Sequence, residues 1–196
     1  MNITGLTGHS GSGKTTVSEI LRSKGFYHIN CDKIVHEKIY TDPDVLKQIA
    51  DTFGEKFVCN NTLNRKSFSK LIFSNKDCYD KLMILLYPFI IKYLQAEISA
   101  SNKQFILLDA PTLFEFGLDS ICDQTIAVIS NKAVERICKR DGITVEEAEL
   151  RLNNQKSHSF YIEHCDYLIQ NDFDISTLEK SANNIADEIM EKKHEN

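Results

Sequence analysis

Six cysteines are spread through the 196-residue chain without a CxxC pair or a zinc-ligand spacing, which removes a redox motif and a metal knuckle from the readings. Reduced intracellular thiols are expected instead. Excess positive charge is also missing: a net charge of -5 argues against a general nucleic-acid-binding surface, so any phosphate chemistry must draw on local cations. The opening "MNITGLTG" lacks the basic and apolar regions of a signal peptide. The longest apolar run, "LMILLYPFII" at 82–91, is too short to span a bilayer and contains Pro88. A cytoplasmic protein with no membrane or nucleic-acid partner is therefore expected. Repeats and low-complexity linkers are absent as well. What remains is ordinary globular composition, 42% hydrophobic and 26% charged, in a length that favours one domain with insertions.

Strand signals recur at "NITGLT" (2–7), "YHINC" (27–31), "FILLD" (105–109), "QTIAVIS" (124–130) and "DYLIQN" (166–171), with helical stretches between most of them. Such alternation predicts an α/β fold, a mostly parallel sheet with helices on both faces, whose ligands bind at the carboxyl ends of the strands. Residues 32–104 are far more than one crossover helix needs and read as a helical insertion. Its helices include "TDPDVLKQIADTF", capped by Thr41 or Asp42, and "KDCYDKLMILLYPFIIKYLQAEISAS", interrupted by Pro88. A second excursion, about 131–165, reads as two helices joined by "DGI", with Thr144 and Glu147 as a capping box. The core is then about 1–31, 105–130 and 166–196.

Gly8, Gly13, Lys14 and Thr15 in "LTGHSGSGKTT" satisfy G-x-x-x-x-G-K-[ST] between an expected strand and an expected helix. Glycines let the main chain wrap a phosphate tail, so amides from Gly8, Gly11, Ser12 and Gly13 through Thr15 and Thr16 become donors, joined by the partial positive charge of the helix start. Lys14 is expected on the β- and γ-phosphates of ATP, and Thr15 on Mg²⁺. The loop alone does not choose a reaction.

Two further absences narrow it. Asp109 ends an apolar strand and suits a second-shell anchor for Mg²⁺, but Ala110 follows it where hydrolytic motor ATPases generally place a water-activating glutamate. The guanine-reading N-K-x-D is also missing: Asn75-Lys76 meets Cys78 at the acidic position, and Asn131-Lys132 meets Val134. Transfer to a hydroxyl needs a base, and Asp32, just past the second strand, is the candidate; alone it reads as an ordinary helix N-cap. Arg136 and Arg140, four apart, repel each other unless an anion lies nearby, and fit a lid over phosphates or a solvated helix equally. His28, His36, His158 and His164 offer no triad or metal spacing.

Over nearly its whole length the chain resembles the dephospho-CoA kinase family. The likeness lies in the phosphate loop, "INCDKIVHE", "TLNRKSFSKLIFSN", "DAPTLFE" (similar to the family's DxPLLFE), "RICKRDGITVEEAELRLNNQ" and "CDYLIQND", in the family's order. It implies a P-loop kinase fold with a helical acceptor-binding insertion (32–104) and a helical lid (131–165). It implies transfer of the ATP γ-phosphate to the ribose 3′-hydroxyl of dephospho-CoA, with Mg²⁺ present. Asp32 is then the base, with Lys14 and Arg140 beside it as catalytic groups. ATP is held by the loop, Arg136, Arg140 and Asn171. The acceptor is held by Asp32, Arg65, Tyr87 and Asp109, and a monomer is expected.

The chain departs from the family in three places: His9-Ser10 replaces its common Gly-Ile, making a bulkier loop mouth; Tyr87-Pro88 replaces His-Pro; Thr112 replaces a leucine. The alternatives are a P-loop kinase for another small acceptor, such as a nucleoside monophosphate, and a non-catalytic nucleotide-binding module.

Overall fold

The computed structural model describes residues 1–192, so the last four positions of the expected core, 193–196, lie outside the described residues. The chain falls into two compact units, Met1–Ile29 with the segment from Asn102 onward, and Asn30–Ser101. In chain order the first contribution to unit one is β1 (Asn2–Gly8), α1 (Lys14–Ser23) and β2 (Tyr27–Asn30). Unit two follows with α2 (Cys31–Glu37), α3 (Pro43–Phe53), the hairpin β3 (Val58–Cys59) and β4 (Thr62–Leu63), α4 (Arg65–Ser74) and α5 (Lys76–Ala100). The chain then returns to unit one with β5 (Phe105–Asp109), β6 (Gln124–Ile129), α6 (Ala133–Asp141), α7 (Val145–Asn153), α8 (His158–His164), β7 (Tyr167–Gln170) and α9 (Ile175–Lys192).

Unit one is built on a five-stranded sheet of order β2-β5-β1-β6-β7. β1 runs parallel to both β5 and β6, and β6 parallel to β7. Side chains alternate across each strand. Leu6, Phe105, Leu107, Ile126, Val128 and Ile169 bury one face against Val17 and Leu21 of α1 and Leu178, Ala182, Ala186 and Ile189 of α9. Ala127 and Ile129 pack on the opposite face against Tyr161 of α8, with Phe114 and Phe160 at its rim. The expected mostly parallel sheet with flanking helices is therefore present, and its strand order places the ends of β1, β5 and β6 side by side.

Unit two has its own apolar interior. Leu82, Leu86, Ile90 and Leu94 recur every four residues along α5 and are all buried, while α3 and α4 pack against that helix. Phe68 meets Phe53 and Phe57 edge-on at 5.3 and 5.5 Å. Asn60 and Asn61 take φ of 50° and 56°, the left-handed pair that a two-residue hairpin turn requires.

Four local expectations need correction. Cys31 belongs to α2 rather than β2, because Asn30 caps that helix by accepting from the Lys33 N–H at 2.8 Å. Asp32 is therefore in the first turn of α2 and is not its cap. Pro88 does not interrupt α5: the carbonyl it deprives of a donor belongs to Ile84, which is 75% exposed on the helix's open side. By length and composition α5 is apolar enough to cross a membrane, although the run at 82–91 alone is not. The segment after "DGI" holds an additional helix, α8, whose cap is Ser157 accepting from the Phe160 N–H. Asp42 rather than Thr41 caps α3, accepting from Asp44 and Val45 N–H groups, and the Thr144/Glu147 capping box is present.

Candidate active site

β1 ends in Gly8, whose φ of +142° and position against β6 admit no side chain: a Cβ there would lie 2.2 Å from the Val128 carbonyl oxygen. The loop then climbs to Gly13, which precedes α1 in a left-handed conformation (φ 97°) and makes no side-chain cap. No acidic residue stands in the first turn of α1. Its leading N–H groups are thus available to an outside anion, reinforced by the helix dipole.

Lys14, the first residue of that helix, pairs with Oδ1 of Asp109 at the end of β5. Asp109 is only 4% exposed, and its other oxygen, Oδ2, takes the Nε2 of His28 from β2 at 3.0 Å. Burial pushes the Asp109 pKa up, but the His28 hydrogen bond and the Lys14 ammonium outweigh it and hold the carboxyl below its ordinary value. His28 is a site residue that sequence spacing does not reveal. It lies 81 positions from Asp109 and meets it only because β2 and β5 are neighbours in the sheet.

Arg136 and Arg140 have different partners. Arg136 braces the loop from behind, donating from Nη1 to the Gly11 and Ser12 carbonyls (3.4 and 3.3 Å) and from Nη2 to the Asn171 carbonyl at 3.0 Å. Asn171 is itself buried and donates from Nδ2 to the Ser12 carbonyl at 2.8 Å. Arg140 is held by Asp141, at 2.7 Å through Nε and 2.9 Å through Nη2, and donates to Ser10 Oγ at 3.2 Å. Arg151 shares Asp141 at 2.5 Å, and the two guanidinium groups depress the Asp141 pKa strongly. The like-charge strain between Arg136 and Arg140 is thus relieved by carbonyls and by Asp141. Beside Asn171, Asp172 accepts from Gln170, Ser130 and Asn131, which lowers its pKa to about 2 and ties the end of β7 to the start of α6.

His9 does not add bulk to the loop mouth as expected, because its ring turns inward. It is 7% exposed, its ring tilted by 30° against His158 at 4.5 Å and edge-on to Tyr161 at 5.2 Å, both from α8. Burial, and then the neighbouring His158, lower its pKa to about 4. Ser10 donates its N–H to Gln155 Oε1 at 3.0 Å. Both departures from the family's loop are therefore fastened to the 131–165 segment.

Asp32, Arg65 and Tyr87 belong to unit two. Asp32 is exposed in the first turn of α2. Arg65 opens α4 and donates to the His36 carbonyl at 2.6 Å, and its charge opposes the burial that raises the Tyr40 pKa. His36 stands 5.8 Å from the Tyr40 ring. Tyr87 is 42% exposed on α5.

Thr15, in the first turn of α1, is exposed and offers a hard hydroxyl oxygen, whereas both oxygens of Asp109 are taken by Lys14 and His28. Among the described residues no group of three or more His, Cys, Asp or Glu side chains could cage a metal. That donor set fits Mg²⁺ arriving with nucleotide phosphates and its own water, rather than a resident ion.

Comparison with known proteins shows the family and the fold. The dephospho-CoA kinase family model matches residues 2–177. A dephospho-CoA kinase of Fusobacterium nucleatum is 35% identical over 95% of this chain and 98% of its own, and one from Lactobacillus johnsonii is 31% identical over 94% and 96%. The solved Campylobacter jejuni dephospho-CoA kinase superposes with a TM-score of 0.69 at 25% identity, covering 98% of both chains. A shikimate kinase of Acinetobacter baumannii, 18% identical with a TM-score of 0.56 over 98% and 95% of the two chains, shares the fold. Phosphate loop, sheet order and sequence together place this chain in the dephospho-CoA kinase family.

Proposed function

We propose that the protein transfers the γ-phosphoryl group of ATP to the ribose 3′-hydroxyl of dephospho-CoA, giving CoA and ADP. The observation that carries this is Lys14, which heads an uncapped helix and pairs with a strand-terminal aspartate followed by Ala110 rather than a glutamate. Such a site binds a phosphate tail without a carboxylate at that position to activate water, and so suits an alcohol acceptor. The relatives' names supply the acceptor's identity.

In this reading Lys14 moves from Asp109 to the β- and γ-phosphates, which also take the amides from Gly11 through Thr16. Arg136 and Asn171 hold the loop in shape on the adenine side. Arg140 leaves Asp141 for the phosphates as the 131–165 segment closes and excludes water. Asp32 accepts the 3′-hydroxyl proton while the new O–Pγ bond forms and the Pγ–O bond to ADP breaks. Arg65, Tyr87 and Asp109 contact the acceptor, which the 32–104 insertion encloses. Thr15 would ligate Mg²⁺, which when bound neutralises developing charge on the phosphates. The enzyme is further proposed to be a cytoplasmic monomer with no nucleic-acid or membrane partner.

A coupled ADP-release assay tests the proposal. Dephospho-CoA should stimulate release, while nucleoside monophosphates, shikimate and gluconate should not. Silence with dephospho-CoA defeats the proposal. A response to another acceptor selects a different kinase, and ATP binding without acceptor-dependent release selects a non-catalytic module.

A further inference from the structure

The proposed reaction takes away one of the two groups that hold Asp109. Lys14 cannot serve the nucleotide phosphates and remain on Oδ1, and Asp109 is too deeply buried for water to replace the lost partner fully. Among the described residues, Lys14 and His28 are the only side chains hydrogen-bonded to that carboxylate. They take different oxygens. Lys14 can therefore depart without disturbing the His28 bond.

We propose that His28 is a positioning residue that holds the Asp109 carboxylate in place and satisfied while Lys14 transfers to the phosphates of ATP. The proposal rests on the phosphate-binding role of Lys14. β2 and β5 are adjacent strands, and the His28 side chain is largely enclosed, so the imidazole is fixed by the sheet rather than by a mobile loop. An ionised carboxylate only accepts hydrogen bonds, so His28 must donate from Nε2–H, which neutral imidazole can do. Without that donor, release of Lys14 to ATP before the acceptor binds would leave a buried carboxylate bare. Asp109 would then compete with ATP for the lysine. His28 thus sets how readily the phosphate loop's only lysine becomes available, without touching substrate itself.

The test compares His28→Leu, which removes the donor, with His28→Gln, whose amide can donate from a similar reach. The KM for ATP and the equilibrium affinity for ATP, measured by titration calorimetry without acceptor, should weaken by about tenfold or more in His28→Leu. Because the titration is made without acceptor, the contact proposed between Asp109 and dephospho-CoA does not enter it, and His28→Gln should recover ATP affinity to within about threefold of wild type. If His28→Leu fails to fold, His28→Ala is read in its place. Unchanged ATP affinity in the leucine or alanine variant overturns the proposal. So does a glutamine variant as impaired as the leucine one, which would mean that ring packing rather than the hydrogen bond matters. Wild-type protein that binds ATP but shows no dephospho-CoA-dependent turnover would defeat the functional reading, while the calorimetric comparison would still decide the role of His28.

Discussion

Asn171 donates from its Nδ2 to the carbonyl oxygen of Ser12, 159 positions earlier, so the end of the last strand shapes the phosphate loop. Gly13 fits beneath that side chain because it has none: a Cβ would stand 2.2 Å from Asn171 Nδ2, on a backbone with φ of +97°. Asn171→Ala should destabilise the protein by about 1–2 kcal/mol and weaken ATP binding, since it strips a partner from a buried carbonyl. Gly13→Ala should cost about 1–3 kcal/mol. The double variant should lose less than the sum, because removing Asn171 also removes the clash; denaturant unfolding of all four proteins measures this.

Asp32→Asn keeps the size of the side chain and removes its basicity. Transfer should fall by about 10²–10⁴, while ATP binding stays near wild type. Rapid-quench measurement of CoA formation beside ATP titration distinguishes this from a general loss of nucleotide binding, which would exclude Asp32 as the base.

Asp141 holds Arg140 and Arg151 at the surface, where such pairs add little stability. Asp141→Asn should therefore leave the melting temperature nearly unchanged. Freeing Arg140 should lower the KM for ATP by roughly two- to fivefold, as the arrangement competing with phosphate contact is weakened. A raised KM would mean that the ion pair builds the lid rather than restraining it.

His9 supplies a pH dependence of known sign. Its folded pKa of about 4 lies below the ordinary 6.5, so as pH falls below 6.5 the unfolded chain takes up a proton that the folded chain refuses. Stability from this residue is present above 6.5, declines toward pH 4 and levels off below it. Thermal unfolding across pH 4–7 should show that loss in the wild type and a shallower one in His9→Phe, which keeps an aromatic ring against His158 and Tyr161 without the titrating nitrogen.

The parts of the fold legible in sequence are those with a local cause. "FILLD" is an unbroken apolar run ending in Asp109 and forms β5 over the same residues, and Thr144 with Glu147 announces its own capping box. α8 escapes because its signal is one serine cap ahead of seven residues, too short for an apolar period to register. Pro88 misleads because a missing hydrogen bond costs less beside an exposed turn than inside a core. In the site, loop chemistry is written in consecutive residues, whereas the meeting of His28 with Asp109 depends on strand order. The inward turn of His9 depends on the arrival of α8, which no motif in the loop foretells.

The sheet order has a consequence for the time at which the protein becomes competent. β1 carries the loop and is made well before both of its neighbours, β5 and β6, which lie beyond residue 104. Arg136, Arg140 and Asn171 come later still. β1 therefore waits, with its apolar strand unpaired, until β5 and β6 have been made, and the nucleotide cradle closes only once Asn171 has followed them.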